Sequence, residues 1–167
     1  MRTLKQVVGI DVGSKELVVC LGNILANLDK KLCQYGNFRN TEKGLIKLHE
    51  WVQTHTSTEI PLYFVMEATG VYHEKLAYFL ERKGYSISIV LPNKISNYFR
   101  TLEVKTVTDS TCSEAITLFG LERKLELWRK PDPTYKRLKQ LTRERDQLVQ
   151  ERTIVKNQLH AEQAEAE

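Results

Sequence analysis

Apolar positions alternate weakly from Leu4 and then run together through Val7, Val8, Gly9 and Ile10, the pattern of a strand buried on both faces. Gly13 and Ser14 make a turn, and residues 16–21 read as a second strand returning beside the first. Residues 31–39 alternate and predict a third. Asn40-Thr41-Glu42 then opens a helix with Leu45, Ile46, Leu48, Trp51 and Val52 on one side. Pro61 precedes a strand through Leu62-Tyr63-Phe64-Val65-Met66 that ends at Glu67. Residues 72–83 predict a helix with Leu76, Ala77, Phe79 and Leu80 inward, closed by Gly84. Residues 85–91 read as a further strand, stopped by Pro92-Asn93. After Asp109 a helical pattern runs through Ala115, Ile116, Leu118, Phe119 and Leu121 to about Leu127, and Pro131-Asp132-Pro133 breaks it.

From Thr134 the chain is rich in Lys, Arg, Glu and Gln, with no Gly or Pro. Leu138, Leu141, Leu148, Val155 and Leu159 follow a heptad seam interrupted by Arg145 and Arg152. That seam predicts a long helix that pairs with another helix. The plainer alternative is a solvated helix packing back on its own domain.

Antiparallel hairpins followed by strand–helix–strand crossovers give an α/β fold, a mixed sheet flanked by helices. The ribonuclease-H-like fold is built in this order, and it sets the first and fourth strands side by side. The expected organisation is one domain over residues 1–130 and a coiled-coil helix over 131–167.

Composition changes this picture little. The chain has 167 residues, 41% hydrophobic and 28% charged, an ordinary globular balance. A net charge of +4 permits a nucleic-acid partner without requiring one. Cys20, Cys33 and Cys112 have no paired metal spacing. Cys20 and Cys33 are expected as reduced core residues, which points to the cytoplasm. No apolar run approaches membrane length, and the first residues lead straight into a strand.

The candidate chemistry lies in three acids. Asp11 follows an apolar strand and precedes Val12-Gly13-Ser14; Glu67 follows another and precedes Ala68-Thr69-Gly70. Asp109 opens a helical pattern. A carboxylate at the end of a hydrophobic strand is costly unless it is paired or binds a metal. Several on neighbouring strands predict an oxygen-ligand site for Mg²⁺ or Mn²⁺, and paired cations of that kind cleave phosphodiesters. Taken singly, each acid has a plainer role: Asp11 a turn-former, Glu67 a loop cap, Asp109 a first-turn acid beside the N-cap Thr108.

Val8-Gly9-Ile10-Asp11-Val12, Val65-Met66-Glu67-Ala68-Thr69-Gly70-Val71-Tyr72, Leu91-Pro92-Asn93-Lys94 and Val104-Lys105-Thr106-Val107-Thr108-Asp109 together resemble the N-terminal domain of IS110-type insertion-sequence transposases. The resemblance covers most of about residues 6 to 127. It implies a RuvC-like domain with an acidic DEDD tetrad, whose first three members fall on Asp11, Glu67 and Asp109. The family's fourth acid, one helical turn on, is here Cys112, a poor ligand for Mg²⁺. Glu114 is the substitute candidate, but it lies five residues after Asp109, about 140° around a regular helix, and serves only if the helix starts late.

The resemblance further implies DNA as substrate, a structured guide RNA, and a homodimer or higher oligomer formed partly through the terminal helix. It also implies a following domain with a nucleophilic serine, so this chain is expected to be a fragment that does not carry out strand exchange alone.

Lys94, Arg100 and Lys105, with Tyr98 and Phe99 between them, and Lys136, Arg137, Lys139 and Arg143 on the terminal helix are the candidate nucleic-acid contacts, cations for phosphates and rings for unpaired bases. Competing readings are an actin-like nucleotide-binding domain, for which a second phosphate hairpin is missing, a standalone RuvC-like nuclease, and a non-catalytic dimerising nucleic-acid-binding module.

Overall fold

The computed structural model describes residues 2–68, 70–102 and 107–165. Five strands and five helices follow in the order β1 (Thr3–Val12), β2 (Glu16–Leu25), β3 (Lys30–Arg39), α1 (Glu42–His55), β4 (Leu62–Glu67), α2 (Glu74–Arg82), β5 (Ser86–Val90), α3 (Pro92–Phe99), α4 (Asp109–Glu122) and α5 (Pro133–Glu165). The chain divides into two compact units, Met1–Trp128 and Arg129–Glu167.

In the first unit the strands form one sheet in the order β3-β2-β1-β4-β5. β1, β2 and β3 pair antiparallel, while β1–β4 and β4–β5 pair parallel. This is the mixed, ribonuclease-H-like sheet that the hairpins and crossovers predict. β1 lies at its centre, which is why its middle residues are apolar on both faces.

The two faces carry separate cores. Val8, Ile10 and Val12 of β1 join Phe64 and Met66 of β4 beneath Leu45, Leu48 and Val52 of α1 and Leu76 and Leu80 of α2. Val7 and Val65 point the other way, into a cluster with Ile116 and Leu121 of α4 and Ile95 of α3. α4 sits very close to this second face. A Cβ on Gly9 would lie 2.8 Å from the Ser113 carbonyl, and a Cβ on Gly120 would meet Val7 and Val65 at 2.7 and 2.8 Å. A glycine inside a strand marks such a close approach.

Three local expectations are corrected. α3 was not foreseen: Pro92 ends β5 and, at the first helical position, also starts a helix, since its fixed φ suits that place. α4 ends at Glu122 rather than near Leu127. Arg123 is extended and the chain turns back so that the Trp128 N–H donates to the Ile87 carbonyl at 2.7 Å. Cys33 is exposed, whereas Cys20 is buried, and all three cysteines are free thiols.

In the second unit α5 is exposed along its whole described length. Leu138, Leu141, Leu148, Val155 and Leu159 are among its exposed apolar residues. Among the described residues, no helix is long and apolar enough to cross a membrane.

Candidate active site

The parallel ladder between β1 and β4 runs from Gln6 opposite Leu62 to Ile10 opposite Met66. Asp11 and Glu67 are the next residues on each strand. Side chains alternate along a strand, so Asp11 shares a face with Val7 and Gly9, and Glu67 shares it with Val65. The two carboxylates therefore sit side by side at the C-terminal end of the pair, on the face that α4 covers.

α4 brings the next two groups. Its first residue is Asp109, after the N-cap Thr108. The Thr108 hydroxyl accepts from the Thr111 N–H at 3.2 Å, and the Thr111 hydroxyl accepts from the Thr108 N–H at 2.8 Å. That reciprocal cap fixes where the helix begins. Ile116 and Gly120 lie over Val7 and Val65. One turn before Ile116 comes Cys112, whose thiol feels the charges of Asp11, Asp109 and Glu67. Ser113 and Thr117 lie over Gly9.

The electrostatics follow this geometry. Partial burial pushes the Asp11 carboxyl above its usual range, and the charges of Asp109 and then Glu67 push it the same way. Burial raises the Cys112 thiol, with Asp11, Asp109 and Glu67 adding repulsion. Both shifts mark a cluster of like charge that a cation would relieve. All three acids offer oxygen, the donor that hard divalent cations take. The donor type and charge thus suit Mg²⁺ or Mn²⁺. The cluster is nevertheless open: among the described residues, no three His, Cys, Asp or Glu side chains gather closely enough to hold an ion.

Glu114 does not join the acids. The helix starts at Asp109 and not later, so five residues turn Glu114 toward β2 and β3. There its charge bears on Cys20 and Tyr35, and Tyr35 is pushed up to about 12 by burial first and Glu114 next.

The predicted nucleic-acid residues are placed as follows. Lys94 and Arg100 are exposed on and just after α3, and Lys136, Arg137, Lys139 and Arg143 are exposed on α5. Lys105 lies outside the described residues. Tyr98 is buried, its ring 5.5 Å from that of Phe119, so it is a core residue and not a stacking platform.

A residue that sequence reasoning passed over bridges the segments that follow Asp11 and Glu67 in the chain. Asn40 Nδ2 donates to the Gly13 carbonyl at 3.0 Å and to the Tyr72 carbonyl at 3.1 Å. Its only sequence signal is its place before the N-cap Thr41, where an Asn reads as ordinary turn chemistry.

Residues 8–162 match the model of IS110-type DEDD transposases, described as "Transposase". The pilin gene-inverting proteins of Moraxella lacunata and Moraxella bovis are each 29% identical over 153 residues, a stretch covering 89% of this chain and 46% of the relative. The chain thus spans about half the length of these curated relatives. Among solved structures, RuvC of Thermus thermophilus in complex with a Holliday junction substrate aligns with a TM-score of 0.53 at 10% identity, over 74% of this chain and 99% of that one. The fowlpox virus Holliday junction resolvase aligns with a TM-score of 0.50 at 13% identity, over 70% and 97%. At such identities the likeness is one of fold, and the fold is RuvC-like. A family match that runs from β1 through most of α5 makes the chain a member of the IS110-type DEDD transposase family.

Proposed function

We propose that this chain is the acidic-site part of a DNA recombinase, in which Asp11 and Glu67, with Asp109 drawn in as the ion binds, would hold Mg²⁺ or Mn²⁺ for cleavage of DNA strands. The observation that carries this reading is the pairing of Asp11 and Glu67 on adjacent strand ends beneath the first turn of α4. Family membership and the RuvC-like fold support it. Bound there, a divalent cation would polarise the phosphodiester and lower the pKa of an attacking water.

The chain's own residues set the conditions. Asp11 is partly withdrawn from water, so its charge acts at low screening. Cys112 occupies the place of a fourth carboxylate and, raised by burial and then by its acidic neighbours, adds no fourth anion. The site is accordingly less anionic than a four-acid site and holds cations more weakly.

Strand exchange belongs, in this proposal, to the whole protein, working in the cytoplasm on DNA and directed by a structured guide RNA. Lys94, Arg100, Lys105 and the α5 cations Lys136, Arg137, Lys139 and Arg143 are the proposed phosphate contacts. The exposed Leu141, Leu148 and Val155 of α5 are the proposed seam of a coiled coil with a second copy.

The test is cleavage of branched and duplex DNA in Mn²⁺ by the chain and by its Glu67→Gln variant. Cuts that need Mn²⁺ and vanish with Glu67→Gln are expected. A second reading, a non-catalytic dimerising nucleic-acid-binding module, is favoured by the open donor set and by Cys112. DNA or RNA binding with no metal-dependent cut in either protein would select it.

A further inference from the structure

We propose that Asn40 is a positioning residue that holds the Asp11 and Glu67 strand ends in register. The inference rests on the metal reading above for its consequence, but its geometry is independent of it.

The β1–β4 ladder is described as far as Ile10 and Met66. Past it the two strands part: β1 turns through Gly13 into β2, and the next element after β4 is α2, from Glu74. Asn40, just after β3, spans that gap. Its backbone N–H donates to the Lys15 carbonyl at 2.8 Å, which anchors it to the β1–β2 turn. Its side chain then reaches both exits, bonding the carbonyl of Gly13, two residues beyond Asp11, and that of Tyr72, five beyond Glu67.

The chemistry admits only one orientation of the carboxamide. Both partners are carbonyls, which only accept, so the NH₂ group must face them with its two protons. Asn40 Oδ1 is buried and has no partner among the described residues. A flip would set this oxygen against two carbonyl oxygens.

Just after Glu67 the Ala68 N–H donates to the Val90 carbonyl at 2.9 Å, and the described residues from Gly70 to Tyr72 bury little apolar surface. Gly70 takes a positive φ of 56°, and Val71 and Tyr72 are 65% and 48% exposed. A segment with so little apolar burial draws its order from hydrogen bonds. The Asn40 bond to Tyr72, with the turn bond from the Glu74 N–H to the Val71 carbonyl at 3.2 Å, supplies them.

The experiment compares the chain with Asn40→Leu, which keeps the branched outline and removes the donors, and with Asn40→Ala in case the chain does not fold with the larger leucine. Amide hydrogen exchange at residues 70–74 and Mn²⁺ affinity by calorimetry are read together, with exchange in β1 and β4 as the control for global stability. Loss of two hydrogen bonds should speed loop exchange by about tenfold and weaken Mn²⁺ binding by about threefold or more, while β1 and β4 stay protected. Unchanged loop exchange overturns the clamp. Faster loop exchange with unchanged Mn²⁺ affinity overturns its role in positioning the acids, and an equal rise in β1 and β4 reduces Asn40 to a general structural residue. If the parent chain itself binds no Mn²⁺, the metal reading fails, and loop exchange alone decides the clamp.

Discussion

Gly9 and Thr117 set how deeply α4 lies on the sheet: a Cβ on Gly9 would come within 2.2 Å of Thr117 Oγ1 and 2.5 Å of its backbone nitrogen. Thr117 cannot swing away cheaply, because its single hydroxyl proton lies between two acceptors, the carbonyls of Cys20 at 3.0 Å and Ser113 at 2.8 Å. Gly9→Ala must therefore push the helix off β1. The expected cost is about 1–3 kcal/mol in urea unfolding. Because Asp109 and Cys112 ride on the same helix, divalent-cation affinity should fall as well. Unchanged stability would mean that the helix is not seated as described.

The raised Asp11 carboxyl gives a stability profile with a definite sign. Its folded form binds the proton more tightly than the unfolded chain does, whose value is the ordinary 3.8. Stability from this group therefore falls as pH rises from 3.8 through the raised value, and the loss persists at neutral pH. Asp11→Asn removes the charge. Thermal melts across pH should show the variant more stable than the parent near neutrality, with the gap closing as pH falls below 3.8. A variant less stable at neutral pH would show that Asp11 is compensated in the folded state.

Most of the fold was legible in the sequence because the strands differ in kind. The unbroken apolar run at Val7–Val8 marked the central strand, and the alternation of residues 31–39 marked the edge. Asp11 and Glu67 were legible for a related reason: an acid closing an apolar strand has few cheap explanations. Glu114 and Cys33 were misjudged because their placement depends on side-chain direction. One hundred degrees of helix turn separates Glu114 from Ser113, and a register shift between Leu21 and Gly22 interrupts the β2–β3 pairing near Cys33. Asn40 was invisible, since its partners are backbone carbonyls of segments distant in the chain.

Cys112 stands where three carboxylates already repel one another, so a fourth carboxylate has two opposing effects. Cys112→Asp should tighten Mn²⁺ binding by roughly threefold to tenfold, because carboxylate count sets affinity for such ions. Without the ion the same variant should melt lower than the parent, since it adds a like charge beside Asp11. Calorimetry and melting with and without Mn²⁺ read both effects. Equal affinity in the two proteins would mean that position 112 does not face the site.

The α5 cations make a prediction that depends on salt and not on sequence. Reversing Lys136, Arg137 and Lys139 to Glu should weaken binding to structured RNA or DNA alike, whatever the sequence. The slope of log affinity against log salt should become shallower by about three, roughly one for each lost phosphate contact. An unaltered slope would assign phosphate contact to other residues.

In the proposed site Asp11 and Glu67 form the floor for one cation. Calorimetric titration of Mn²⁺ into the chain, into Asp11→Asn and into Glu67→Gln tests it most directly. Saturable binding is expected, weakened by either substitution by about tenfold or more, with the double variant little worse than each single one, because ligands of one ion are not additive. Binding that survives both substitutions, or losses that add as independent sites would, contradicts it.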